Sequence, residues 1–73
     1  MRNFIQVHYF DYNNELIARL VNTLHIFDVV QSKSRKGALI RFVPTNDYER
    51  DHPVSFEAIE TYDEVVKLIE QLD

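Results

Sequence analysis

The chain of 73 residues contains no cysteine and no tryptophan, one glycine and two prolines. Without cysteine it forms no disulfide and has no thiolate nucleophile or ligand, which fits a reducing compartment, and we expect a cytoplasmic protein. A single glycine, Gly37, excludes phosphate-binding loops that need two or three. No apolar run approaches the roughly 18 to 20 residues that cross a bilayer. The N-terminus lacks the apolar core of a signal peptide, so we expect no membrane contact.

Apolar residues make up 45% of the chain, and twelve acidic against eight basic residues give a net charge of −4. The length allows one small domain, residues 1–73. A chain of this size buries only about 60% of its unfolded surface. Hydrophobic burial must therefore supply nearly all of the stability, and association with a partner is a common supplement.

Two patterns fill the first third of the chain. Residues 3–11 alternate as a strand, with Phe4, His8 and Phe10 on one face and the core candidates on the other. Apolar residues at 16, 17, 20, 21 and 24 share one stripe of a 3.6-residue period and follow two asparagines that can cap a helix. We therefore predict a helix from Glu15 to Leu24 or His25.

The remaining two thirds read as three strands and a helix. The strands are predicted at 26–31, 38–43 and 54–59, with a hairpin loop before Gly37 and a polar loop over 45–53. Thr61 and Glu64 form a capping box for a final helix that continues to Leu72.

These elements predict an α+β fold with a four-stranded, mainly antiparallel sheet, in the order β-α-β-β-β-α, and with both helices packed on one face. Strand alternation then divides the sheet residues into two sets. The core-facing set is Ile5, Val7, Tyr9, Phe27, Val29, Ile40, Phe42, Val54, Phe56 and Ala58. The opposite face would present Phe4, His8, Phe10, Leu39, Arg41, Val43, Glu57 and Ile59.

An uncovered sheet face with this many apolar residues is typical of an interaction surface. We predict a non-catalytic protein–protein interaction module, either a homodimer or a small adaptor or inhibitor. The candidate contact residues are Phe4, His8, Phe10, Leu39, Arg41, Val43 and Ile59. Two other interpretations stay open. The predicted strand register is wrong by one residue, which exchanges the two faces of the sheet, or the loop over 45–53 folds over the uncovered face.

The residues that carry chemistry do not form a known pattern. The three histidines, His8, His25 and His52, have no second ligand at metal-binding spacing. No serine lies in a nucleophile elbow. We therefore expect no enzymatic activity, no cofactor and no bound metal.

The charge distribution suggests two alternative functions. Lys33, Arg35, Lys36 and Arg41 place four positive charges within residues 32–41, with no acid among them, and could contact nucleic-acid phosphates. Residues 45–73 hold nine acids and two bases, a net charge of −7, and would let the chain act as an acidic nucleic-acid mimic. Charged segments of both kinds are more commonly ordinary solvated surfaces.

Overall fold

The computed structural model describes residues 3–33 and 37–72, which form two antiparallel sheets and two helices. In chain order the elements are β1 (Phe4–Phe10), β2 (Leu16–Asn22), a 3₁₀ turn (Thr23–His25), β3 (Ile26–Gln31), β4 (Ala38–Phe42), α1 (Asp47–Asp51), β5 (Ser55–Ala58) and α2 (Tyr62–Glu70). One sheet is the β1–β2 hairpin, and the other has the order β3-β4-β5. The α+β class is confirmed, whereas the single four-stranded sheet and the order β-α-β-β-β-α are wrong.

The predicted helix from Glu15 to His25 is a strand followed by the 3₁₀ turn. Its apolar residues recur with a spacing of four, which suits a helical stripe but is also a multiple of the two-residue period of a strand. In the strand, Leu16 and Leu20 therefore share one face while Ile17 and Val21 share the other. The same pattern fits both structures, and pairing with β1 decides between them.

The turn that joins β1 to β2 is built by Asp11 and Asn14. The Asp11 carboxylate Oδ1 accepts hydrogen bonds from the backbone N–H groups of Asn13 (2.8 Å) and Glu15 (3.0 Å). Asn14 has a φ of 62°, in the left-handed region that asparagine tolerates better than most residues. The asparagines that were expected to cap a helix thus belong to a hairpin turn.

Both sheets and α2 contribute to one apolar core. Its fully buried members are Ile5, Val7, Val21, Ala38, Ile40, Ala58 and Val65. The predicted inward orientation is confirmed for Ile5, Val7, Ile40 and Ala58. The three-stranded sheet and the hairpin thus turn their inner faces toward the same cluster.

The inward orientation is wrong for two predicted core residues. Phe27 is 64% exposed because the β3–β4 register shifts between Ile26 and Asp28, which turns its ring outward. Val54 is 45% exposed because it precedes the first residue of β5.

Only one of the two helices contributes buried residues. The capping box of α2 is confirmed: Thr61 N–H donates to Glu64 Oε1 (3.0 Å), and Glu64 N–H donates to Thr61 Oγ1 (3.2 Å). Helix α1 lies within the segment predicted as a loop, has five residues and buries none of them. The expectation that two helices pack on one face of the sheet is therefore wrong.

Candidate interaction surface

The outer face of the β1–β2 hairpin is an exposed apolar surface. In an antiparallel pair, directly opposite residues share a face. The pairing therefore places eight residues on what we call the hairpin outer face: Phe4, Gln6, His8, Phe10, Leu16, Ala18, Leu20 and Asn22. None of them is an Asp, Glu, Lys or Arg. Phe10 is 57% exposed, Leu16 56% and Leu20 49%.

The hairpin outer face stays exposed because its opposite side takes all the core contacts. Ile5, Val7 and Val21 point inward and are buried. On the same side, the Tyr9 ring meets the Phe56 ring edge to face, with centroids 5.7 Å apart. A two-stranded hairpin has only two faces, so one side packs into the protein and the other remains open to solvent or to a partner.

His8 and Glu60 join the outer edge of β1 to the end of β5. Oε1 of Glu60 accepts the backbone N–H of His8 at 2.8 Å, and Oε2 lies 2.6 Å from the ring Nδ1. Ile59 N–H donates to the His8 carbonyl at 2.8 Å, and Ala38 N–H donates to the Glu60 carbonyl at 2.9 Å. The Glu60 carboxylate thus substitutes for a strand neighbour and ties the hairpin to the three-stranded sheet.

The environment of Glu60 favours its charged form. Its partial burial raises the carboxyl pKa, but the hydrogen bonds from the ring and backbone of His8 outweigh that effect, so the pKa of Glu60 is lower than usual. The side chain is only 15% exposed, and the junction is therefore a partly buried, charge-assisted contact.

The seven predicted contact residues lie in three places. Phe4, His8 and Phe10 are on the hairpin outer face, and Ile59 lies beside the edge of β1, where its N–H donates to the His8 carbonyl. Leu39 and Arg41 are paired opposite Glu57 and Ser55, on the outer side of the three-stranded sheet. Val43 follows β4 and, together with Phe4, lines an open cavity of about 330 Å³ between the hairpin and the segment after β4.

Sequence reasoning missed Leu16, Ala18 and Leu20, which double the hairpin outer face, because it placed them on a helix. The signal that could have identified them is the turn sequence from Asp11 to Asn14. An aspartate that can accept from backbone groups further along the turn, followed by an asparagine suited to positive φ, is typical of a hairpin turn.

Of the basic set, Arg41 is engaged within the protein. Its Nε donates to Asp28 Oδ1 at 2.6 Å, and its Nη2 contacts Asp28 Oδ2. The hydrogen bond from Arg41 lowers the pKa of Asp28, so the pair stays ionised. Lys33 is described and exposed, whereas Arg35 and Lys36 lie outside the described residues.

In the acidic half of the chain, four carboxylates accept hydrogen bonds within the protein, among them Glu57, which accepts from the hydroxyl of Ser32 at 3.0 Å. Glu49 accepts from the hydroxyl of Thr45, Glu60 accepts from His8, and Glu64 closes the capping box of α2. Within residues 3–33 and 37–72, no three His, Asp or Glu side chains group closely enough to bind a metal ion together. No helix in this part of the chain is long and apolar enough to span a membrane.

Comparisons of the chain with protein-family models, with curated proteins and with solved structures find no match. Any functional argument therefore depends on the surfaces described above.

Proposed function

We propose that this protein is a non-catalytic protein–protein interaction module that docks through the hairpin outer face. The observation that supports this proposal is the exposure of Phe10 directly opposite Leu16, with Leu20 further along the same strand face, on a regular sheet surface without a charged residue. Large apolar side chains grouped on a sheet face are a favourable contact area for another protein, because burying them releases ordered water.

The size of the surface suits this role. A fully buried aromatic side chain covers about 150 to 250 Å². The exposed fractions of Phe10, Leu16 and Leu20 together give this face on the order of 300 Å² of accessible apolar surface. This area lies within the range of the largest patch on a typical monomer and is less than half of the roughly 800 Å² that each partner contributes to a standard interface, so it suits a small contact.

The test compares two phenylalanines of similar exposure. Phe10→Glu places a charge in the hairpin outer face, whereas Phe27→Glu places one at the outward bulge of β3. Both wild-type and variant proteins would be used to capture partners from cells that express the protein, followed by mass spectrometry. We expect one set of proteins to be retained by wild type and by Phe27→Glu, and lost with Phe10→Glu. Equal retention by both variants would contradict the proposal.

Salt separates this proposal from nucleic-acid binding through the basic segment 32–41. Contact through an uncharged apolar face should persist when salt rises from about 50 to 200 mM, while binding to several phosphates weakens by orders of magnitude over that range. A partner that is lost on this change in salt, and lost equally with Lys33→Ala, would favour the nucleic-acid alternative instead.

A further inference from the structure

The free edge of β2 is a second unpartnered feature, separate from the hairpin outer face. In the described residues β2 pairs only with β1, along all seven of its residues. The backbone hydrogen bonds that flank the ladder show which residues face this free edge. Asn3 C=O accepts from Thr23 N–H (2.7 Å), and Asp11 N–H donates to Glu15 C=O (3.1 Å), so the odd-numbered residues of β1 bond toward β2.

The even-numbered residues of β1 point the opposite way. His8 uses both its N–H and its C=O toward Glu60 and Ile59, away from β2. In an antiparallel ladder, two opposite residues that do not bond each other both direct their backbone groups outward. His8 is opposite Ala18, so the N–H and C=O of Leu16, Ala18 and Leu20 point to the free edge of β2.

The other sheet edges are protected in ways that β2 is not. The second edge of β1 is occupied at His8, the middle residue of the strand, by hydrogen bonds with Glu60 and Ile59. β3 also has one paired neighbour, but its register shifts at Phe27, next to the Asp28–Arg41 ion pair. Proline, bulges and charged side chains are the devices that block edge pairing. β2 has no proline and no bulge, and the guanidinium of its one charged residue, Arg19, lies 4.8 Å from the centroid of the Phe56 ring.

We propose that a second copy of this chain pairs with the free edge of β2, antiparallel and with Ala18 on the two-fold axis. The two hairpins then form one four-stranded sheet. In this register Leu16 is opposite Leu20 of the other copy, Ala18 is opposite Ala18, and Arg19 is opposite Ile17. Three pairs that each exchange two backbone hydrogen bonds give about six bonds across the interface.

The neighbouring registers are less favourable. An axis at Arg19 places the two Arg19 residues directly opposite each other, and like charges in that position destabilise a sheet. An axis at Ile17 places Leu20 opposite Asn14, whose φ of 62° takes it out of the strand conformation. The Ala18 register avoids both costs and forms three outward-facing pairs, whereas the Ile17 axis keeps two and gains a Glu15–Arg19 pair. Because Leu16, Ala18 and Leu20 pair with one another in this symmetric register, we choose a second copy as the partner.

The area agrees with a modest affinity. A paired segment of five residues is roughly 17 Å long, and side chains extend from both faces of the sheet. Such a contact covers on the order of 1,000 Å² in total, which is the lower end for specific interfaces. We therefore expect a dimer that depends on concentration in the micromolar range.

The first experiment measures mass by light scattering and sedimentation from about 1 to about 500 µM, which spans affinities of this class. Wild type should shift from monomer to dimer. Ala18→Pro removes the outward N–H of Ala18 without removing a bond to β1, and edge strands tolerate proline at such a position. This variant should stay monomeric, while Ala18→Val, which keeps the N–H, should dimerise. A wild-type monomer throughout, or a dimer that survives Ala18→Pro, would overturn the proposal.

The second experiment uses the absence of cysteine and does not depend on the folding of the proline variant. Ala18→Cys places two sulfur atoms on the axis, with Cα atoms about 5.5 Å apart, within disulfide range. Leu16→Cys places them about 14 Å apart, beyond reach. Mild oxidation should cross-link Ala18→Cys and not Leu16→Cys, and it should cross-link the double variant Leu16→Cys, Leu20→Cys. Equal cross-linking of the two single variants would overturn the register.

The dimer is an inference beyond the proposed function, and either of the two proposals can be wrong while the other holds. Phe10→Glu changes a β1 residue that is not at the free edge, so it should leave the dimer intact while it removes the docking partner. If the protein is monomeric but Phe10→Glu still abolishes partner capture, the second copy is excluded and the docking proposal stands.

Discussion

Replacing Glu60 with alanine should loosen the connection between the hairpin and the three-stranded sheet. The substitution removes an ionised acceptor that serves both the backbone N–H and the ring Nδ1 of His8. Hydrogen bonds to charged groups contribute about 1.5 to 3 kcal/mol each, and the two bonds share one carboxylate, so we expect a loss of about 2 to 3 kcal/mol. A chain of this length has a total stability of roughly 4 to 11 kcal/mol, so this loss is a large fraction.

The assay is urea unfolding followed by far-ultraviolet circular dichroism at neutral pH. In thermal unfolding, the same loss should lower Tm by about 10 to 20 °C for a domain of this size. Glu70→Ala is the matched control, because Glu70 is an exposed acid near the end of α2, and its removal should change stability by less than about 0.5 kcal/mol.

The pH dependence gives the sharper test. Because the pKa of Glu60 is lowered in the folded protein, its contribution is fully present above the unfolded pKa and is lost as the pH falls through the folded value. The stability difference between wild type and Glu60→Ala should therefore shrink as the pH falls below the ordinary glutamate pKa of about 4.5. A difference that stays constant as the pH falls, or one no larger than that of Glu70→Ala, would refute the role assigned to this carboxylate.

Two further substitutions test the geometry around the sheets. Gly37→Ala should destabilise the protein by at least about 1 to 3 kcal/mol in chemical denaturation, because a Cβ at this position would lie 1.9 Å from the Ala58 carbonyl oxygen. A loss of stability below about 0.5 kcal/mol would contradict that close approach. Asn14→Val should cost about 1 to 2 kcal/mol in thermal unfolding, because a β-branched residue is strained at a φ of 62°. Asn14→Gly should be neutral within a few tenths, and equal effects of the two changes would argue against the left-handed turn.

The parts of the fold that were predictable are those in which one local signal dominates. The capping box of Thr61 and the apolar stripe after it indicate α2, and both are present. The β-branched run at 26–31 and the alternation in β1 likewise predict strands, and the faces of Ile5 and Val7 follow from alternation alone.

The parts that were not predictable depend on pairing between distant segments. The stripe from Leu16 to Leu24 fits a helix and a strand equally well, and only the presence of β1 alongside selects the strand. The outward orientation of the Phe27 side chain depends on a register shift that no local sequence pattern indicates. The half of the hairpin outer face that belongs to β1 was predicted from the sequence. The half that belongs to β2 was missed, because β2 was predicted as a helix.

The His8–Glu60 contact also has a consequence for how the chain becomes structured during synthesis. The two residues are 52 positions apart, so the contact forms only after both β1 and the segment that follows β5 have left the ribosome. The hairpin over residues 4–22 needs only local loop closure and can form first. Until Glu60 arrives, both long sides of that nascent hairpin have open backbone groups, and the growing polypeptide is then most exposed to unwanted pairing with neighbouring chains.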